Sequence, residues 1–235
     1  MHRFAVVLTH DRPVHLAQCV AAIGPQVDLV IVIDNASSPP VGDRDRIRAY
    51  VDPAAWPDPD EFALAVIQVP DQPPNLSRFW NLGIAKALEI FESGGEAFEH
   101  PYVAVLCDDA LPPPGWFAAV TAAMAQTGAV IGAGSHGGIG EHVVKMAPDS
   151  DLSRRMPGHA WIIDPVSPVR ADERFAYWWG DTDIDWQARA AGGMVMVGGY
   201  PVINQVPDGW TGHMAAQVAL DSQAFLDKHG WKPWL

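Results

Sequence analysis

Four short apolar runs, residues 4–8, 29–33, 63–69 and 102–106, are rich in Val and Ile and are separated by longer stretches of helical period. Runs that are almost wholly apolar, and do not alternate with polar residues, belong to strands buried on both faces. A chain built this way folds into a mostly parallel central sheet with flanking helices, an α/β architecture. The helices are expected at 13–23, with Pro13 in the tolerated first turn, at 75–95, 116–126, 181–191 and 215–229. A short helix is expected within the Pro- and Asp-rich connection 37–60, at 43–50. On the helix that opens at Asn75, Leu82, Ala85, Leu88 and Ile90 make the expected apolar side. Later strands are expected at 129–133, 143–146, 160–163 and 194–197, and PVINQV at 201–206 is strand-like. The βα rhythm is regular in the first half and looser in the second, which suits one domain over 1–235, with a ligand-binding half to about residue 110 and a second half from about 111.

With 15 Lys and Arg against 28 Asp and Glu the chain carries −13, which disfavours a protein held on nucleic acid by nonspecific phosphate contacts. The two cysteines, Cys19 and Cys107, have neither metal-type nor framework spacing. The N-terminus turns polar after five apolar residues, and no window reaches the ~18 of a membrane span. These features suit a cytoplasmic protein.

Ligands of open parallel sheets bind beyond the carboxyl ends of the strands. Three runs end in polar groups there: Thr9, His10, Asp11 and Arg12; Asp34, Asn35 and Ser37; and Asp108 with Asp109. One such Asp is ordinarily a turn former or cap, but three neighbouring ends favour a shared site. Asp108 and Asp109, held before Pro112, are adjacent carboxylates that repel unless a cation lies beside them, and carboxylate plus phosphate suits Mg²⁺ or Mn²⁺.

In this order, VVLTHDRP, LVIVIDNASS, NLSRFWNLGIAKAL, VAVLCDDALPPPGW and ADERFAYWWGDTDIDWQARAAG resemble the blocks of glycosyltransferase family 2, of the A-type nucleotide-diphospho-sugar transferase fold. The resemblance spans about residues 4–192. It implies that Thr9, Asp34 and Asn35 meet the donor nucleoside, with His10 at an often aromatic position. Arg12, Asn75, Arg78, Asn81 and Asp108 join them in binding the donor, and Asp109 is the second acid of the Asp-x-Asp element and a metal ligand. Cys107 stands on the first acidic position, where a thiol is a poor partner for Mg²⁺. His213 falls where some A-type enzymes place a metal-binding histidine.

Asp181 aligns with the general base. Gly180 stands where the family usually has Glu, so Asp181 and Asp183 are both candidates, and either is equally a good helix cap. Trp178 and Trp179 offer faces to an acceptor sugar, and of Trp161, Trp178, Trp179 and Trp210 two are expected in the site. The implied reaction moves one sugar, with inversion, from a nucleotide-diphosphate-sugar, UDP-linked by family habit, to an acceptor hydroxyl. A divalent cation, Mn²⁺ or Mg²⁺, would assist. The acceptor class stays open among glycan, lipid-linked sugar, protein and modified nucleic-acid base, the last through a basic patch of Arg154, Arg155, Arg170 and Arg174. No Gln-x-x-Arg-Trp of processive members is present.

Three alternatives weigh against this reading. GAGSHG at 132–137 satisfies G-x-G-x-x-G but does not open a helix. A nucleotidyltransferase of the same fold would carry a Gly-rich basic loop after the first strand, where HDRPVHLAQ stands. A sugar-nucleotide or glycan binding module without chemistry fits Cys107 and Gly180.

Overall fold

The computed structural model describes residues 3–58, 62–70, 73–94, 100–135, 143–145 (backbone), 155–206 and 214–230. Ten strands and six α-helices lie among them: β1 (Arg3–Thr9), α1 (Pro13–Ile23), β2 (Leu29–Asn35), α2 (Arg44–Arg48), β3 (Ala63–Val69), α3 (Leu76–Ser93), β4 (Tyr102–Cys107), β5 (Ala110–Leu111), α4 (Trp116–Thr127), β6 (Ile131–Gly134), β7 (Val143–Lys145), β8 (Ala160–Ile163), α5 (Gly180–Ala191), β9 (Met194–Val197), β10 (Ile203–Asn204) and α6 (Ala215–His229).

Eight strands form one sheet in the order β3-β2-β1-β4-β8-β6-β9-β7. β1 pairs in parallel with β2 and β4, β2 with β3, and β6 with β9, whereas β8 runs antiparallel between β4 and β6, and β7 antiparallel at the far edge. The expected mostly parallel sheet is therefore present. Alternate residues feed opposite faces, as a pleated strand requires. Ala5, Val7, Val30 and Val32 pack with Leu16, Val20 and Ile23 of α1 and Phe117 and Met124 of α4. Phe4, Val6, Leu8 and Ile31 pack with Phe79 and Ile84 of α3 and Ile184 of α5.

The buried seam of α3 differs from the expected one. Phe79, Trp80, Gly83, Ile84 and Ala87 face the sheet, and Leu82 is among the exposed large apolar residues. Gly83 sets this register: a Cβ there would collide with the Val6 side chain, so the glycine lets the helix settle on β1. The G-x-G-x-x-G glycines serve packing in the same way. Gly132 lies in β6 against Val120 and Met124, and Gly134 against the backbone of Tyr200. Residues 136 and 137 lie outside the described residues.

β1 has β2 on one side and β4 on the other, so the chain reverses its direction across the sheet at β1. The carboxyl ends of β1 and β4 therefore open at a topological switch point, where such sheets bind ligands. Among the described residues, no helix is long and apolar enough to cross a membrane.

Candidate active site

The rim is laced together by its own polar groups. The Thr9 hydroxyl donates to Asp108 Oδ2 at 2.8 Å. One guanidinium nitrogen of Arg12 lies 3.4 Å from Asp108 Oδ1 and 3.2 Å from Asp109 Oδ2. Residues 11 and 36, just past β1 and β2, hold left-handed φ of 54° and 55°. The Asp11 backbone N–H donates to Ser37 Oγ, and Ser38 N–H to Asp11 Oδ1, which joins the two loops. Non-glycine residues keep such angles only where surrounding contacts fix them, and they cluster at binding sites.

Both carboxylates after β4 are buried. Burial is the largest influence on Asp108 and pushes its carboxyl up to about 6, with Asp109 pushing the same way and Thr9 and Arg12 pulling down. Asp109 Oδ1 is buried with no hydrogen-bond partner, an acceptor turned to something the protein does not supply. Burial, then the two aspartates, raises the Cys107 thiol well above the usual thiol range, so it adds no charge at the first acidic position.

Asp181 begins α5, and its Oδ1 accepts the Thr182 N–H at 2.8 Å. It stands close enough to Cys107 to help raise that thiol, which brings the α5 N-terminus to the end of β4. Burial raises the Asp181 carboxyl, with Arg155 opposing. A Cβ on Gly158 would stand 2.6 Å from Asp181 Oδ2, so the glycine leaves that oxygen room. Gly180 has a steric reason to be glycine, since a Cβ would meet Ser77 Oγ at 2.6 Å and the Trp80 ring at 3.0 Å.

Asp183 is placed differently. It is fully buried, with Oδ1 2.7 Å from Lys228 Nζ and 2.8 Å from His229 Nε2, and Oδ2 accepting from Gln187 at 2.7 Å. Its carboxylate anchors α6, so of the two aspartates Asp181 is the one at the rim. Trp179, 5% exposed, packs on Phe175 and Phe225 and donates from Nε1 to Ser222 Oγ; its indole is core. Trp161 is fully buried edge-on to Trp80. Trp178 is half-buried beside them. Trp210 and His213 lie outside the described residues.

The remaining expected donor residues divide by location. Asp34 is fully buried and accepts the backbone N–H groups of Ser37 and Val41, so it shapes the loop after β2. Asn35 donates to the Val69 carbonyl, and its own carbonyl lies 2.5 Å from His10 Nδ1. Asn75 caps α3 by accepting the Arg78 N–H and donates to the Glu173 carbonyl. Asn81 exchanges hydrogen bonds with the Ala171 backbone. Both asparagines tie α3 to the segment entering α5, and Arg78 is exposed at the helix start. Of the arginines expected in a basic patch, Arg170 donates to the carbonyls of Pro165, Ser167 and Val169, and Arg174 pairs with Asp172. Arg154 lies outside the described residues.

A cavity of about 270 Å³ adjoins the rim, lined by Asp11, Arg12, Leu16, residues 37–42 and Tyr50 among others. Arg12 belongs to both the cavity and the carboxylate cluster. Two groups escape the sequence reading, and a third, Arg155, is expected there only as part of a basic patch. Tyr177 lies among Cys107, Arg12 and Asp109, and burial raises its hydroxyl. Asp221 of α6, fully buried, accepts the backbone N–H groups of Ala176, Tyr177 and Trp178. Arg155 acts on Asp181. The aromatic run 177–179 is the one sequence signal that points towards any of them.

Could the rim hold a divalent cation? Asp109 Oδ1, buried and unpartnered, with Asp108 beside it, fits one, because Mg²⁺-type sites take one or two carboxylates and complete their shell with substrate phosphate and water. Among the described residues, no three His, Cys, Asp or Glu side chains come together to hold a metal.

No protein-family model matches the chain, and no curated protein does. Solved structures do. Residues 1–349 of S. aureus TarS, in complex with UDP-GlcNAc, superpose with a TM-score of 0.60 at 11% identity, covering 97% of this chain and 67% of that one. A longer S. aureus TarS structure gives 0.59 at 12%, and this chain covers 40% of it. GalNAc-T7 with UDP, GalNAc and Mn²⁺ gives 0.58 at 12%, covering all of this chain and 52% of that one. The fold is the A-type glycosyltransferase fold.

Proposed function

We propose that this protein is a glycosyltransferase that moves a single sugar, with inversion, from a nucleoside-diphosphate-sugar to an acceptor hydroxyl. The observation that carries the reading is the meeting of three elements at the switch point: the Thr9–Arg12 end of β1, the Asp108–Asp109 pair after β4, and Asp181 at the head of α5. A fold likeness alone does not assign chemistry; this constellation is what the chemistry needs.

The donor nucleoside fits the cavity between α1 and the loop that Asp34 shapes. Its volume suits a nucleoside and is below the ~300–1,000 Å³ of pockets that enclose drug-sized ligands, so the diphosphate and sugar extend past Arg12 towards Asp109. UDP is the preferred donor carrier, since the fold neighbours were solved with UDP, UDP-GlcNAc, or UDP and Mn²⁺. Asp109, with Asp108, would hold a divalent cation, Mn²⁺ or Mg²⁺, which when bound neutralises the charge that builds on the leaving diphosphate. Arg12 supplies a fixed positive charge beside the same carboxylates.

Asp181 is the base. The acceptor oxygen forms its bond to the anomeric carbon while the bond from that carbon to the diphosphate oxygen breaks. The bonding pair leaves with the diphosphate, and the acceptor proton passes to Asp181 Oδ2, on the side that Gly158 leaves open. A carboxyl raised by burial is a stronger base than an ordinary surface aspartate, which favours this transfer. The half-buried Trp178 and Tyr177 border the acceptor side; the acceptor is a glycan, lipid-linked sugar, protein or modified base.

The neutral thiol at Cys107 favours a second reading, a sugar-nucleotide binding module without turnover. A nucleotidyltransferase has no corresponding observation behind it.

Titration calorimetry with UDP, GDP and dTDP, with and without Mn²⁺, tests the donor site. Binding of UDP that needs Mn²⁺ and disappears in Asp109→Ala is expected. Absence of binding by all three would overturn the reading.

A further inference from the structure

Antiparallel pairing places Ile203 opposite Leu111 and Asn204 opposite Ala110. The next pair in that register is Gln205 and Asp109, and the Gln205 backbone N–H donates to the Asp109 carbonyl at 2.9 Å. Directly opposed residues of an antiparallel ladder send their side chains to the same face, with Cβ atoms about 5 Å apart. The Gln205 and Asp109 side chains therefore leave the backbone on the same face of the ribbon. Each of the two carries one buried atom without a hydrogen-bond partner: Asp109 Oδ1, an acceptor, and Gln205 Nε2, a donor.

A buried donor and a buried acceptor on one face that do not bond to each other are complementary to a third group. That group must accept from an amide and at the same time bring positive charge to a carboxylate. A phosphate oxygen paired with a divalent cation meets both demands, and neither member alone does. Arg12, on the other oxygen of Asp109, leaves Oδ1 for the cation. A neutral amide also suits the terminal phosphate, because it stabilises developing negative charge without competing for the metal position as a lysine would.

We propose that Gln205 is a donor-binding residue that holds the terminal phosphate of the nucleoside diphosphate through Nε2, completing a clamp of Asp109, Arg12 and Gln205. The assignment rests on the donor reading above. Gln205 directly follows β10, which pairs with β5 outside the main sheet and links the second half of the chain to the Asp109 segment.

Titration of wild type and of Gln205→Ala and Gln205→Glu with uridine, UMP, UDP and UDP-GlcNAc in Mn²⁺ tests it, with a melting curve on each variant to verify folding. Uridine and UMP affinities are expected to stay within a factor of two. UDP and UDP-GlcNAc should weaken about tenfold or more in Gln205→Ala, and further in Gln205→Glu, whose carboxylate repels the diphosphate. Equal UDP affinity in wild type and Gln205→Ala would overturn the assignment of Gln205 and leave the donor reading standing. A loss confined to UDP-GlcNAc would also overturn it, by moving Gln205 to the sugar hydroxyls. Wild-type protein that does not bind UDP would overturn the donor reading, and this inference with it.

Discussion

Asp221 Oδ2 accepts the backbone N–H of Trp178 at 2.7 Å and that of Tyr177 at 2.8 Å. The carboxylate also takes Ala176 N–H and the Gln217 amide, and it is one of only two buried residues on α6. A helix with little apolar burial is thus held by polar bonds, and it in turn fixes the loop that delivers Asp181. Asp183 repeats the device from the other side by gripping Lys228 and His229.

Asp221→Ala is expected to leave three part-buried N–H groups unpaired and to cost roughly 1–3 kcal/mol in denaturant unfolding. If the loop positions the base, kcat falls while UDP affinity holds, and Asp221→Asn recovers part of kcat because its amide oxygen can still accept. Equal losses of kcat and UDP affinity would count against a positioning role.

Asp181→Asn should keep donor affinity and lose transfer by a factor of about 10²–10⁴. The base must be ionised to act, and burial raises its carboxyl. The acid limb of the kcat profile should therefore fall off at a higher pH than an ordinary aspartate would give. Full activity at pH 4 would contradict the assignment.

Asp108 makes a second pH prediction, on stability. Its carboxyl stands at about 6 in the fold against 3.8 as the reference value. Between these values the folded state binds more protons than the unfolded one, so without metal this group's contribution is full below about pH 4 and is lost as pH rises through about 6. Asp108→Asn should then be more stable than wild type at pH 7.5 by roughly 2–3 kcal/mol without metal, a gap that closes below pH 4. Mn²⁺ with UDP should reverse the order by stabilising wild type alone. Urea melts at three pH values check both.

Gly158→Ala places a methyl group against Asp181 Oδ2. Transfer is expected to fall at least tenfold with UDP affinity nearly unchanged, while the melting temperature drops as the Asp181 carboxylate is displaced. A variant as active as wild type would mean that the acceptor reaches Asp181 from another side.

The strands were legible because short runs rich in Val and Ile read the same in sequence and in structure; the strands at 63–69, 160–163 and 194–197 have the expected bounds. The insertion of antiparallel β8 between β4 and β6 was not legible, because nothing local in AWII encodes its partners. The apolar side expected on α3 was displaced because Gly83 is the point of closest approach to Val6. At the site, the strand-end acids stood out by position. Asp181 and Asp183 did not separate, since both occupy the first turn of α5, and the contacts that withdraw Asp183 come from α6, far along the chain. Gln205 was silent for the same reason: its partner, Asp109, is set by a ribbon that forms only in the fold.

The most direct measurement is the release of UDP from UDP-hexose donors, with and without Mn²⁺, in wild type, Asp109→Ala and Asp181→Asn. An inverting transferase with this site should hydrolyse its donor slowly when water takes the acceptor position, only with the cation present, and far more slowly in both variants. Tight, Mn²⁺-dependent UDP binding by wild type, with no release of UDP above the uncatalysed rate from any donor or acceptor tried, would contradict the account and leave a binding module.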